Sequence, residues 1–218
     1  FGDGHYQTSG TWKSRKNSVA IDMHQKGKGL NWRTNLYYME TDDFGQTWKN
    51  VQGEALELPL TNQVNAAAVL EYESQGRNVY IKEVQFDEQG NPIILYILSK
   101  GYESGPENGP REWRIVRWDG SHWVERFTGI CSGNNYDFGP LYIESANTWR
   151  IIGPTQLGPQ PYNPGGEMGS WISNDRGATW TMTRQMTTNS TMNHTFVRRP
   201  VNAQPDFYGF WADGHGRQ

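Results

Sequence analysis

Five side chains in this sequence are the first candidates for proton transfer or anion binding: His5, Tyr136, Asp137, His194 and Arg198. Imidazole and phenol groups exchange protons, a carboxylate can act as a base, and a guanidinium binds carboxylates through paired hydrogen bonds. His194 and Arg198 are four residues apart, so on a β-strand they would project the same way at a separation of about 13 Å. That distance suits two ends of one ligand-binding cleft. Because a single histidine is more often structural than catalytic, the prediction of a site depends on the fold bringing these groups together.

The elements that would position them are indicated by two copies of the pattern Ser/Thr-x-Asp-x-Gly-x-x-Trp, at residues 41–48 and 173–180. Asp hydrogen-bonds backbone amides in turns, Gly adopts positive φ, and Trp supplies a large ring to bury. Alternating segments on both sides of each copy predict a turn between two strands. The pattern resembles the Asp-box, which joins the third and fourth strands of a β-propeller blade. The resemblance implies structural roles for Asp43, Gly45, Trp48, Asp175, Gly177 and Trp180.

A further turn, WDGSHW at residues 118–123, lies between the two copies, so similar turns recur at spacings that suit four-stranded blades. We predict an all-β fold, a single partial β-propeller domain over residues 1–218 with about three and a half antiparallel four-stranded blades. The approximate blades are residues 5–53, 78–129, 135–187 and 193–218, the last incomplete. Propellers usually close with about four to eight blades. We therefore expect a piece of a longer protein, or self-association that completes or covers the open ring.

The composition narrows the classes of partner. A net charge of −3 over 218 residues argues against nucleic acid, and the sequence has no run of about 18 apolar residues that would span a membrane. Cys131 is the single cysteine, so no disulfide is expected within the chain. Since no two histidines have the close spacing of metal ligands, we expect neither a metal nor a cofactor. The chain begins without Met or a signal peptide, so we expect any targeting segment to have been removed or never included.

The candidate residues collect on one face of the predicted propeller. In a four-stranded blade the turns after the first and third strands share one face, whereas the loops after the second strand and between blades share the other. The long loops here belong to the second group, and long loops on a rigid scaffold commonly carry binding residues. Besides the residues above, this face is predicted to hold His24, Arg33, Gln160, Tyr162 and Glu167, together with Tyr6 and His215. Residues that open an innermost strand point to the central axis, which favours His5, Tyr136, Asp137 and His194.

Longer segments give a more specific resemblance. The strings NYDFGPLYIE, GPQPYNPGGEMGSWISNDRGATW and NHTFVRRPVNAQPDFYGFWADG are similar to the BNR-repeat family of secreted bacterial propellers related to ulvan lyases and α-L-rhamnosidases. The chain resembles the middle of such a propeller. The resemblance implies a uronate-containing poly- or oligosaccharide as partner and a secreted or periplasmic location. Sialidases also contain Asp-boxes, but they need an arginine triad, a Tyr/Glu nucleophile pair and an Arg-Ile-Pro segment, for which VRRP at residues 197–200 is a poor substitute.

Three functions stay open on this resemblance. A lyase that acts on a uronic acid by β-elimination needs a base for the C5 proton, a cation at the carboxylate and an acid for the leaving oxygen. His5 or His194 would be the base, Arg198 or Arg33 would bind the carboxylate, and Tyr136 would be the acid. A glycosidase would instead use a carboxylate pair, Asp137 and Glu167. A non-catalytic glycan-binding propeller would stack sugars on aromatic side chains and use the polar set for hydrogen bonds; the stacking residues would be Trp32, Tyr102 and Tyr162. We favour cleavage over binding alone.

Overall fold

The computed structural model describes residues 4–9, 16–24, 27–155, 157–200 and 207–214, and the side chains of residues 4–9, Lys16 and His24 lie outside that description. Within these ranges the regular structure is β-strand, apart from one short 3-10 turn at Pro106–Asn108. No helix in the described ranges is long and apolar enough to cross a membrane. The strands form three four-stranded sheets and one two-stranded sheet, all antiparallel. The prediction of an all-β fold built from four-stranded antiparallel blades is confirmed.

Each sheet follows the order of the chain. The strands are β1 (Gly4–Ser9), β2 (Lys16–His24), β3 (Arg33–Thr41), β4 (Ala68–Leu70), β5 (Asn78–Phe86), β6 (Pro92–Ser99), β7 (Arg111–Trp118), β8 (Trp123–Ser132), β9 (Leu141–Ile143), β10 (Trp149–Pro154), β11 (Met168–Ser173), β12 (Thr181–Gln185), β13 (His194–Arg198) and β14 (Phe210–Asp213). β1–β4, β5–β8 and β9–β12 form the full sheets, and β13 and β14 form the last one. Because strands that are neighbours in sequence also pair, each sheet is the meander from which propeller blades are made.

The first sheet departs from the expected pattern after its repeated turn. The segment that follows Trp48 contacts β3 through one bridge, in which the backbones of Lys49 and Glu40 pair at 2.8 and 2.9 Å, and Lys49 also bridges to Ala55 outside the sheet. The chain then leaves the sheet and returns as β4, which pairs with Leu36 and Tyr37 of β3. Asn50 causes the departure, because its side-chain oxygen accepts the amides of residues 52 and 54, both at 3.0 Å, and forms a tight turn.

Apolar cores lie between adjacent sheets. One core joins the first two sheets and includes Leu36 and Tyr38 of β3 with Ile94 and Tyr96 of β6. A second core joins the second and third sheets around Trp113, which is fully buried. All eight residues of β6 are buried, as expected for a strand covered on both faces. The sheets are therefore held face to face, and the first strands β1, β5 and β9 adjoin one another along the chain order.

The two repeated turns have the same internal hydrogen bonds. In the second turn, Ser173 Oγ donates to Asp175 Oδ1 at 2.7 Å, and Asp175 accepts the Thr179 amide at 2.8 Å and its hydroxyl at 2.6 Å. Thr41, Asp43 and Thr47 repeat these bonds in the first turn at 2.7, 2.9 and 2.6 Å. The bonds from Thr179 lower the pKa of Asp175 to about 2, and those from Thr47 hold the pKa of Asp43 well below its usual range. Gly45 and Gly177 have φ of 86° and 80°, which explains glycine at both positions.

The repeated turns and the long loops lie on opposite faces. β11 ends at Ser173, where the second turn begins, while Gly166, just before its other end, pairs with His194. The six residues of β11 separate these ends by about 17 Å. Arg176 in the second turn contacts the carbonyl of Ala146 at 3.2 Å, so the β9–β10 turn shares the face of the repeated turns. The long loops and the connections between sheets therefore meet on the other face.

We predict unequal roles for the two turn tryptophans. Both rings are half-buried, but Trp180 packs against the second core and its Nε1 donates to the carbonyl of Gly177 at 3.1 Å. We expect Trp180→Ala to lower the free energy of unfolding by about 3 kcal/mol and Trp48→Ala by about 1–2 kcal/mol, below the loss for a fully buried ring. Chemical denaturation of both variants measures the difference. Equal losses would contradict the packing difference between the two turns.

Candidate functional site

Charged and aromatic groups converge around Tyr80 on β5, near the axis of the sheets. The Tyr80 ring is 2% exposed, and its hydroxyl donates to the carbonyl of Asn31 in the β2–β3 loop at 2.9 Å. The guanidinium carbon of Arg33 and the Nζ of Lys82 each lie 5.9 Å from the centre of this ring, and the ring centre of Tyr136 lies at 6.4 Å. We call Tyr80, Arg33, Lys82 and Tyr136, with Arg198, the axial cluster.

Lys82 is the member of the axial cluster that sequence reasoning missed. It is 5% exposed and its Nζ donates to the carbonyl of Asn135 at 2.8 Å. Burial lowers the pKa of Lys82 far below that of a solvated lysine, and the nearby carboxylate of Asp137 opposes this effect. The signal in the sequence was a lysine in the middle of NVYIKEVQF, a segment that otherwise reads as a buried strand.

Two arginines bring positive charge to the same place. Arg33 opens β3; its Nε donates to the carbonyl of Leu30 at 3.1 Å and its Nη1 lies 3.9 Å from the buried carboxylate of Asp22. Arg198 is exposed, and its guanidinium lies 3.5 Å from the centre of the Phe138 ring. The next residue, Arg199, turns to Glu83 of the second sheet, with 3.5 Å between Nη2 and Oε1. Of these neighbouring arginines, Arg198 is therefore the one available to a ligand.

Tyr136 contributes a partly exposed phenol. The residue is 41% exposed, and its hydroxyl donates to the side-chain oxygen of Asn31. Its backbone amide donates to the side chain of Asn134 at 2.9 Å, which fixes the connection between β8 and β9. A ligand oxygen that replaces Asn31 as the acceptor would receive the proton of this phenol.

Asp137 and Glu167 are each committed to a separate network. Asp137 is 1% exposed and accepts the backbone amides of Asn134 at 2.9 Å and Gly165 at 2.5 Å; burial raises its pKa. Glu167 is 7% exposed and accepts hydrogen bonds from Thr187 and Ser190 at 2.5 to 2.9 Å. Burial acts to raise the pKa of Glu167, but the hydrogen bonds outweigh it and lower the pKa. The structure therefore does not favour these carboxyls as an open pair for hydrolysis.

Both ring nitrogens of His194 are occupied. Nε2 lies 2.7 Å from the hydroxyl of Ser190, and Nδ1 hydrogen-bonds the carboxylate of Asp213. Ser190 also bonds Glu167, so a chain of polar groups runs from Glu167 through Ser190 and His194 to Asp213. The His194 side chain is also 12% exposed, so this geometry does not favour it as a base for a ligand.

The remaining predicted binding residues have mixed placements. The backbone amide of Asn193 donates to Oε1 of Gln160 at 2.9 Å, so the Gln160 side chain has a structural contact. Tyr162 is 54% exposed, and its hydroxyl donates to Glu107 at 3.0 Å. The side chains of His5 and His24 lie outside the described residues, as do Tyr6's side chain and His215. Their backbones place His5 opposite Ala20 and His24 opposite Arg33.

An aromatic pair lies at the rim of the same face. The rings of Trp32, from the β2–β3 loop, and Tyr102, from the β6–β7 loop, have centres 4.5 Å apart. The Nζ of Lys28 lies 4.0 Å from the centre of the Trp32 ring. Within the described ranges, no group of three or more His, Cys, Asp or Glu side chains could hold a metal ion. The described face therefore combines cations, a phenol and an aromatic surface, a set that suits an anionic sugar.

Comparison with known proteins gives consistent matches. Two curated relatives are ulvan lyases. The one of Nonlabens ulvanivorans is 28% identical over 179 residues, which cover 76% of this chain and 36% of the relative. The one of Alteromonas sp. (strain LOR) is 27% identical over 171 residues, which cover 71% of this chain and 35% of the relative. The chain thus spans about a third of their length. A solved structure described as polysaccharide lyase PL25-ulvan lyase bound to GlcA(1-4)Rha3S has a TM-score of 0.68 at 18% identity and covers 96% of this chain and 48% of that one, which supports the fold.

The model of the BNR repeat-containing family matches residues 2–157. That match includes the first repeated turn, all of the first two sheets and the connection that carries Tyr136. Since it covers more than half of the 218 residues, the chain belongs to the BNR repeat-containing family.

Proposed function

We propose that the protein is a polysaccharide lyase that cleaves ulvan or a similar uronate-containing glycan by β-elimination, with the axial cluster as its uronate site. The observation that carries the proposal is the convergence of Arg33, Lys82 and Arg198 with the partly exposed phenol of Tyr136. A carboxylate bound by the two arginines would withdraw electrons from the neighbouring C5–H bond, which is the bond that elimination must break. The similarity to ulvan lyases supports uronate as the substrate class.

The proposed reaction needs three groups. A base takes the C5 proton, the electron pair of the C5–H bond forms the C4–C5 double bond, and the C4–O bond breaks with protonation of the leaving oxygen. Arg198, with Arg33, would bind the carboxylate and stabilise the negative charge that develops on it. Tyr136 would protonate the leaving oxygen. His5, which lies in β1, is the proposed base, because both ring nitrogens of His194 already have partners.

Incubation with ulvan separates this proposal from its alternatives. A lyase produces an unsaturated uronate with new ultraviolet absorbance, together with new reducing ends. New reducing ends without that absorbance would indicate a hydrolase and overturn the elimination proposal. Retention of the polymer without cleavage would indicate a glycan-binding propeller in which Trp32, Tyr102 and Tyr162 provide the sugar contacts.

We predict that Arg198 contributes to binding of the uronate carboxylate. Arg198→Ala should raise KM for ulvan and lower kcat/KM on the order of 10–100-fold, the usual loss for one charged hydrogen-bonding partner. The control is Arg184→Ala, since Arg184 is exposed on the outer strand β12 and should leave KM unchanged. Steady-state kinetics of both variants test the prediction, and an unaltered KM in Arg198→Ala would contradict it.

For His194 we predict a structural effect. His194→Ala removes hydrogen bonds to Ser190 and Asp213, so the free energy of unfolding should fall by about 1–3 kcal/mol. The folded variant should keep kcat on ulvan within about threefold of the original value, since no transition-state contact is lost. Denaturant unfolding and kcat are measured on the same preparation. A large fall in kcat at unchanged stability would instead support His194 as the base.

A further inference from the structure

Lys82 lies in a strand where a charge is costly. β5 is buried along most of its length, and the neighbouring residues Ile81 and Val84 are 5% and 2% exposed. The pairing of β5 with β6 shifts between Ile81 and Glu83, so Lys82 is the extra residue of a β-bulge. Bulges re-aim a side chain relative to the regular strand and occur often beside active sites. A buried ammonium group is tolerated when it is paired and hydrogen-bonded.

The ammonium group of Lys82 is directed at the connection that carries Tyr136. Its Nζ donates to the carbonyl of Asn135 at 2.8 Å, and Asn135 is completely buried. The side-chain amide of Asn135 in turn donates to the carbonyl of Tyr102 at 3.1 Å. Lys82 of the second sheet therefore fixes the peptide bond between Asn135 and Tyr136. The partly exposed side chain of Tyr136 begins at this fixed peptide.

The charges around Lys82 come from several elements. Asp22 on β2 and Asp137 in the β8–β9 connection attract its ammonium group, whereas Arg33 on β3 and Arg198 on β13 repel it. Tyr80, on its own strand, presents its ring at 5.9 Å. Lys82 thus interacts both with the buried carboxylates and with the guanidinium groups of the proposed uronate site.

We propose that Lys82 is a positioning residue, which holds the carbonyl of Asn135 so that the hydroxyl of Tyr136 stays aligned with the leaving oxygen of the substrate. This inference rests on the proposed lyase function. It assigns the effect of Lys82 to kcat rather than to substrate affinity, because the exposed guanidinium of Arg198 provides the carboxylate contact. A displacement of about 1 Å at a catalytic group can cost about a hundredfold in rate.

A double-mutant cycle on ulvan tests the inference in the full chain. Lys82→Met should lower kcat by about 10–100-fold and change KM by less than about threefold. In the Tyr136→Phe background, where the hydroxyl is absent, Lys82→Met should cause no further loss. Lys49→Met is the control, since Lys49 lies on the opposite face beside Asp42 at 3.4 Å. Losses that multiply in the double variant would overturn the positioning role.

Hydrogen exchange gives a readout that does not depend on activity. Lys82→Met should raise amide exchange in residues 134–137, whereas exchange in the buried strand β6 should stay as in the unmodified protein. Lys82→Gln retains an N–H donor and replaces Lys82→Met in the experiment if that variant does not fold. It should also raise amide exchange in residues 134–137, by a smaller amount. If the unmodified protein has no lyase activity on ulvan, the proposed function is refuted. If amide exchange in residues 134–137 is the same in Lys82→Met as in the unmodified protein, the positioning role of Lys82 is refuted.

Discussion

Burial of β6 on both of its faces is the constraint on which the site depends. Ile94 and Tyr96 pack into the core with the first sheet, while Ile93 and Leu95 pack into the core with the third. A strand fixed in this way sets the register of β5 beside it, because a slip of one residue would turn every β5 side chain to the opposite face. The two cores thus determine where Lys82 and Tyr80 point, and Tyr80 is itself part of the second core.

The sequence predicted the parts of the fold that local patterns specify. The meander within each sheet follows from alternating strands and short turns, and the hydrogen bonds of Asp43 and Asp175 follow from the turn pattern itself. The fourth strand of the first sheet was misplaced, since the turn at Asn50 and the packing of Leu56 and Leu60 against the cluster that includes Tyr37 keep residues 50–66 out of the sheet. Such packing depends on contacts that no local pattern reveals.

The site was harder to predict because long-range partners decide which groups are accessible. Asp137 is buried and contacts Gly165, 28 residues away, and His194 contacts Asp213, 19 residues away. Arg198 and Arg199 are adjacent in sequence, yet Arg199 pairs with Glu83 of the second sheet whereas Arg198 stays exposed. Lys82 was missed since its direction depends on a bulge, which shifts pairing without a clear sequence signal. The roles of His5 and His24 stay predictions.

The charges of the described part of the axis explain why an anion suits this site. Arg33 and Arg198 add positive charge near Lys82, while the carboxylates of Asp137 and Asp22 add negative charge. Burial disfavours the charged form of Lys82, and the carboxylate of Asp137 opposes this effect. A bound carboxylate would give the two guanidinium groups a charged partner, while Lys82 keeps its hydrogen bond to the carbonyl of Asn135. Binding of the anion by the arginines and positioning of Tyr136 by the lysine are then separate roles of adjoining groups, and a neutral sugar at the same place would leave the arginines without that partner.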